Sequence, residues 1–340
     1  MALLLAADIG GTKTDLALFG DDPSLSAPRH QRRYRNADFP NLDQLLNEYL
    51  ESCGTEPRFA CLALAGVVAG ERVRMTNLSW MVDGPALAAR FRFEQLCLIN
   101  DLTALAAAIP SLRDGDIREV QGGHSYPGEM CALIAPGTGL GEGMLLREGS
   151  TLFARGSEGG HGDFAPTDEE QSALLEFARM EIQPVSYEAL IAGPGLGRLY
   201  RFCRQYHHIR GDEDVAAAMA GMSDPIPLLL EAALRDEYCP LCRKVVTLFL
   251  AILGSEAGNL ALKLYARGGV YLGGGLLPRI VGKVSFAGFL EAFRAKGAMR
   301  ELMATIPVQV IMRSDAALLG AGCYGLQWFA DGRFANGAGD

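Results

Sequence analysis

Four short stretches of this chain set residue types that do chemistry among glycines that open the backbone around them. The first is AADIGGTKTD, where Asp8 stands just ahead of Gly10, Gly11 and Thr12. Glycine lets backbone come close to a ligand, and the amides of Gly10, Gly11 and Thr12 can converge into a nest for phosphate oxygens. The second is INDLTALAAAIP, where Asn100 and Asp101 end an apolar run and open an alanine-rich helix. Asn is a favoured helix cap, which is the plainer reading. An aspartate at the carboxyl end of a strand is also placed where α/β proteins bind ligands. The helix's positive end favours its ionised form, so Asp101 is a candidate general base for an alcohol proton. The third stretch is APGTGLG, a second glycine turn between strands, and the fourth is GSEGGHGD, with Glu158 and His161 among glycines. A carboxylate and an imidazole on open backbone suit a polyhydroxylated ligand; an ordinary surface loop is the alternative.

Either glycine turn alone reads as a hairpin. Two of them, in successive halves of one chain, could hold a polyphosphate from both sides. Neither is a GxxxxGK[ST] loop, and neither sits in the strand–turn–helix context of GxGxxG. A P-loop NTPase and a Rossmann dehydrogenase are disfavoured on those grounds. Glu158-x-x-His161 lacks the helix and the second histidine of a zinc protease. Cys239-Pro-Leu-Cys242 has no second pair to complete a zinc ribbon and reads as structural. Glu188, in VSYEALIAGPGLGRLY, and the pair His207-His208 read as helix surface.

The elements that must position these groups alternate. Strands are expected at Leu3–Ala7, Thr14–Phe19, Ala60–Ala65, Arg72–Thr76 and Leu96–Ile99, with helices at Leu42–Ser52, Pro85–Phe91 and Leu102–Ile109. A hairpin followed by strand–helix alternation predicts parallel crossovers. Pro110 closes the third helix, and a domain boundary is expected there. The second half repeats the theme with strands at Ala132–Ala135 and Glu142–Leu146. Helices then dominate from Asp168 to Ala266. Strands at Val270–Leu272 and Val308–Met312 and a helix at Ala316–Phe329 follow, before a frayed tail from residue 331. Strand, glycine turn and strand at the head of each half suggest a duplicated unit.

Bulk properties bound the function. The 340 residues are 49% apolar and 21% charged, with a net charge of −9, which argues against a general nucleic-acid or membrane-surface binder. Asp8 ends the first apolar run too early for a secretory signal. VVTLFLAIL, the longest apolar run, is about half a bilayer span and reads as a buried helix. Eight cysteines without framework spacing fit reduced thiols in the cytoplasm.

Taken in order, DIGGTK, MTNLSW, INDLTALAAAIP, PGTGLG, SEGGHGDFAP, VSYEALIAGPGLGRLY, GGVYLGGGLLPR and ALLGAG resemble the bacterial ATP-dependent glucokinase family, from Leu4 to about Leu326. The resemblance implies a duplicated ribonuclease-H-like fold, that of actin-like ATPases, with two lobes around a central cleft. Residues 1–110 would form the small lobe, joined by a returning C-terminal helix at about 313–330, and residues 111–312 the large lobe. It makes Asn100 a sugar ligand and Asp101 the catalytic base, with Glu158, His161 and Glu188 as further sugar contacts. Ala7, Asp8, Ile9, Gly10, Gly11 and Thr12 match the first phosphate loop, with Asp8 near a magnesium ion through water. Gly137, Thr138 and Gly139 match the second loop, and Gly273, Gly274 and Gly275 the loop near the adenosine. Pro136 departs from the family's glycine-rich entry and brings no amide; Lys13, Ser157 and Gly162 depart as well. The expectation is ATP- and Mg2+-dependent phosphorylation of the glucose 6-hydroxyl by a cytoplasmic homodimer.

Three rivals are weaker. A sugar-responsive regulator needs a DNA-binding domain ahead of the first phosphate loop, and only seven residues precede Asp8. A chaperone-like ATPase leaves Glu158 and His161 without a purpose. A kinase for another hexose or an amino sugar differs only in where each hydroxyl sits.

Overall fold

The structure, a computed structural model, describes residues 3–20, 28–66, 68, 70–75, 78–126, 128–149, 151–211, 213–221, 226–235 and 239–330. Thr76 and Asn77 of MTNLSW and the expected tail lie outside the described residues. The chain divides into two units: residues 1–116, 143–156 and 313–340, and residues 117–142 and 157–312. Residues 143–156 thus group with the first unit, where the sequence had suggested the second.

The first unit is built on β1 (Leu4–Ile9), whose apolar run is buried on both faces, as a central strand bordered by parallel pairing requires. It pairs antiparallel with β2 (Lys13–Phe19), which pairs in turn with β3 (Arg29–Arg35). Helix α1 (Leu42–Cys53) is capped by the Asn41 side chain, which accepts from the Gln44 amide at 2.9 Å, and stops at Gly54 in the left-handed region. Strand β4 (Phe59–Leu64) then runs parallel to β1. A small ribbon of β5 (Arg72–Arg74) and β6 (Met81–Asp83) leads to α2 (Gly84–Phe91). Strand β7 (Gln95–Asn100) lies parallel to β4 and passes directly into α3 (Asp101–Ala108). The sheet order is β3-β2-β1-β4-β7. Strand β3 was not expected: RHQRRYR has no apolar alternation, because it is exposed at an edge and held by β2 alone.

The second unit begins with β8 (Ile117–Gln121), another edge strand with little apolar signal, and β9 (Cys131–Pro136). Strands β10 (Leu140–Glu148) and β11 (Thr151–Ser157) follow, with their outer residues in the first unit. Then come α4 (Glu169–Arg179), α5 (Tyr187–Ile191), α6 (Gly193–Tyr206), α7 (Glu213–Gly221), α8 (Ile226–Leu234) and α9 (Pro240–Leu264). Helix α9 is long and apolar enough to cross a membrane, yet 78% of its apolar window is buried inside the protein, so it is the core helix of this unit. The sulfur of Cys239 caps it by accepting from the Cys242 amide at 3.2 Å, which gives the Cys-x-x-Cys pair a structural use. The unit ends with β12 (Gly269–Leu272), α10 (Leu277–Ile280), α11 (Ala287–Arg294), α12 (Arg300–Thr305) and β13 (Val308–Ile311).

The sheet order here is β11-β10-β9-β12-β13-β8. Its first five strands repeat the order of the first sheet. Strand β12 is parallel to both β9 and β13, as β4 is to β1 and β7. The suggested duplication is therefore visible in topology, with β8 as an addition. Finally α13 (Ala316–Ala330) rejoins the first unit, where it packs on α3, β1 and β4 and is apolar nearly all round.

Candidate active site

In the first unit, β1 delivers Asp8 at its carboxyl end, opposite Asp15 of β2. Asp15 is buried and gripped by Arg33 of β3, at 2.7 and 3.1 Å from Nε and Nη2. This is a cross-strand charge pair with bidentate geometry. Asp8 has no such cation. Burial, then the charges of Asp101 and Asp15, push its carboxyl up to about 7, against the weaker pull of Lys13 and Arg33. Asp8 at the end of β1 and Asp101 at the start of α3 are thus near enough for one charge to act on the other. Hard oxygen donors of that kind suit a Mg2+ that takes one or two carboxylates and completes its shell with phosphate and water. No cluster of three or more His, Cys, Asp or Glu side chains able to cage a metal occurs among the described residues.

The turn after β1 is narrower in its donors than expected. The Gly10 amide closes the hairpin onto the Lys13 carbonyl at 3.0 Å, which leaves Gly11 and Thr12 as the loop's candidate phosphate donors. Ala7 and Ile9 are fully buried in the core, so neither brings a side chain to a ligand. The loop is pinned by Asn36, a buried residue that sequence reading missed. Its side chain donates to the Gly10 carbonyl at 2.9 Å and accepts from the Thr14 hydroxyl at 2.8 Å, and its own amide donates to the Thr12 carbonyl at 3.0 Å.

At the β7–α3 junction both readings of Asn100 hold. Its Oδ1 accepts from the amides of Leu102 at 2.8 Å and Thr103 at 3.4 Å, and Nδ2 donates to the Gly66 carbonyl at 3.0 Å. Capping therefore consumes the oxygen and one of the two amide protons; one proton is left for a ligand. Asp101 occupies the first helical position, partly buried, with Oδ1 accepting from the Leu102 amide at 3.0 Å. Its position at the helix's positive end is the one expected of an ionised base.

In the second unit, the turn Gly159–His161 and the start of α5 bring the three remaining candidates together. His161 stands between two acids: Nε2 is 3.8 Å from Glu158 Oε2, and Nδ1 is 3.8 Å from Glu188 Oε1. Glu158 and His161 are about 60% exposed, open to a ligand from solvent. Glu188 is not mere helix surface. Its Oε2 accepts from the Leu140 amide at 2.8 Å, and a Cβ on Gly139 would approach that oxygen to 2.7 Å. One carboxylate thus ties the second glycine turn to the Glu158/His161 group. Gly137 closes that turn on the Gly139 carbonyl at 2.8 Å, so Thr138 and Gly139 hold its candidate donors. After β12, the Gly273 amide is bonded to the Ile134 carbonyl at 2.8 Å, and Gly275 is exposed.

A family model described as Glucokinase matches residues 5–328. A glucokinase of Nostoc punctiforme is 37% identical over 335 residues, covering 94% of this chain and 98% of the relative. Among solved structures, a glucokinase from an Antarctic psychrotroph superposes with a TM-score of 0.83 at 31% identity, covering 96% of this chain and 99% of the other. A glucokinase of the ROK family from Streptomyces griseus, solved with glucose and AMPPNP, has a TM-score of 0.63 at 18% identity over 96% of this chain and 100% of the other, a likeness of fold.

Proposed function

The chain belongs to the glucokinase family, and on that premise we propose how its residues divide the work of moving the γ-phosphoryl group of ATP to the 6-hydroxyl of glucose. Asp101 accepts the proton of the attacking hydroxyl. One amide proton of Asn100, the Glu158 and Glu188 carboxylates and the His161 imidazole hold the remaining hydroxyls and fix the direction of attack. Gly11, Thr12, Thr138 and Gly139 are the residues that offer amides to phosphate oxygens. Residues 273–275 lie beside the adenosine. Asp8 would hold a Mg2+ ion, which would screen the phosphate charge when bound. Each residue's own task is positioning or charge stabilisation, the terms that dominate phosphoryl transfer.

The observation that carries the reading is Asp101 at a helix's positive end beside Asp8, an acid placed for metal and phosphate. The test is Asp101→Asn. It keeps the fold and glucose binding and lowers kcat by about three orders of magnitude or more. Near-normal turnover would remove Asp101 from the role of base. The eight cysteines form no disulfide, which supports a reducing compartment such as the cytoplasm. A homodimer is the assembly we expect, closed pairs being the commonest symmetric form; sedimentation would show a particle of twice 36.4 kDa.

A further inference from the structure

Beneath the turn that carries Glu158 and His161 lies a second pair of acids that the reaction does not use. Glu142 of β10 and Glu256 of α9 are each only 2% exposed. The Glu142 carboxyl fills the place where a side chain on Gly159 would begin: a Cβ there would fall inside it. The turn can pass over this acid only because residue 159 is glycine. Glu142 Oε1 meets no N–H or O–H donor among the described residues, and Glu256 is the acid whose charge bears on this buried carboxyl. Two carboxyl groups share a hydrogen bond only while one of them keeps a proton.

The surroundings say which. Glu256 Oε2 accepts from Asn259 Nδ2 at 2.9 Å, and Lys263 lies 3.9 Å from Glu256 Oε1. Lys296, arriving after α11, donates to Asn259 Oδ1 at 2.7 Å and to the Ser255 carbonyl at 2.9 Å. The cations and the amide thus gather around Glu256, and the proton belongs on Glu142. Asn259 also donates to the Tyr187 hydroxyl at 3.2 Å, and Tyr187 directly precedes Glu188. The charged and titratable groups facing the pair are Lys263 from α9, Lys296 from its loop and Tyr187 from α5, with Glu158 and His161 on the turn above.

We propose that Glu142 and Glu256 form a proton-sharing positioning pair, which holds the Gly159–His161 turn and the start of α5 in the geometry that binds sugar. The idea rests on the glucokinase reading for what those residues bind. Loss of the shared proton sets two buried negative charges against each other under Gly159 and loosens the turn. Burial, then the charge of Glu256, push the Glu142 carboxyl up to about 7, so the loosening falls near neutral pH. Sugar affinity therefore declines as the solution turns alkaline, while the chemistry at Asp101 in the other unit is left alone.

The test compares the wild type with Glu142→Gln, which replaces the shared proton by a permanent amide donor. Glucose binding, followed by calorimetry without nucleotide, should weaken roughly fivefold in the wild type between about pH 6 and about pH 8.5 and stay level in the variant. KM for glucose should follow the same pattern, with kcat at each pH alike in the two proteins. Infrared spectra of the wild type minus those of Glu142→Gln at about pH 6 should show a protonated-carboxyl C=O band, the contribution of Asp8 being common to both proteins. No difference band, a flat wild-type profile, or a variant that keeps the wild-type slope would each overturn the proposal. Failure of the glucokinase reading looks different: no hexose is bound or phosphorylated at any pH, while the infrared band still reports on the pair.

Discussion

At the scale of single residues, unfavourable charge gathers at the carboxyl end of β1. Asp15 has Arg33; Asp8, directly opposite on β1, has no partner cation at that distance among the described residues and sits near Asp101. The sign of the effect follows from its carboxyl being raised to about 7. Between about pH 4, where the unfolded chain ionises, and pH 7, the folded state holds a proton that the unfolded state has lost. Stability from this group therefore falls as pH rises through that window and is level above it. Asp8→Asn removes the penalty. In metal-free buffer its melting temperature should exceed that of the wild type by several degrees at about pH 7.5 and by much less at about pH 4.5. Its turnover should drop, which is the usual opposition between stability and function. Equal melting temperatures at both pH values would show that Asp8 bears no such burden.

At the scale of elements, the candidate phosphate loop depends on a residue outside it. Asn36 follows β3 and holds the turn between β1 and β2 through three hydrogen bonds. Removing this buried side chain takes its two bonds from the Gly10 carbonyl and the Thr14 hydroxyl, at a cost of about 1–3 kcal/mol. Asn36→Ala should raise KM for ATP by roughly tenfold and leave KM for glucose near its original value; equal effects on both would make Asn36 a general stability residue. Asn36 was illegible in sequence because nothing local marks it: its partners are 22 and 26 positions away. Glu142 was illegible for a related reason, since an acid within a strand normally faces solvent. By contrast, Asp8, Asn100, Asp101, Glu158 and His161 were legible because glycines or a strand–helix junction flank each one. Glu188 could be singled out only by resemblance, as its bond to Leu140 spans 48 positions. Strands β3 and β8 lacked alternation because edges have little to bury.

At the scale of the whole molecule, acids of both kinds set the pH response. Asp8 and Glu142 are pushed up to about 7. Glu170 and Asp315 go the other way. Burial would raise each, but Lys244 and His207 beside Glu170, and Arg313 and Gln31 beside Asp315, outweigh it and hold both low. The first pair loses stability as pH climbs from about 4 to 7; the second loses it as pH falls through the low carboxylate range. The apo protein should therefore melt highest well on the acid side of neutrality, at about pH 4–5. Scanning calorimetry across pH would show this maximum, and a double variant Asp8→Asn/Glu142→Gln should move it towards neutrality. A wild-type melting temperature still climbing at about pH 8 would contradict the assignment.

Strand β3 carries one last implication. Among the described residues its outer rim pairs with no further strand, and such an edge is the usual template on which a second molecule could add. Arg29, Arg32, Arg33 and Arg35 stud that seven-residue stretch, and two such cationic borders brought side by side would repel. Pairing of two copies through this edge would consequently be disfavoured. Swapping Arg29, Arg32 and Arg35 for valine or threonine, while sparing the Arg33 clasp on Asp15, would turn a guarded margin into an adhesive one and invite precipitation.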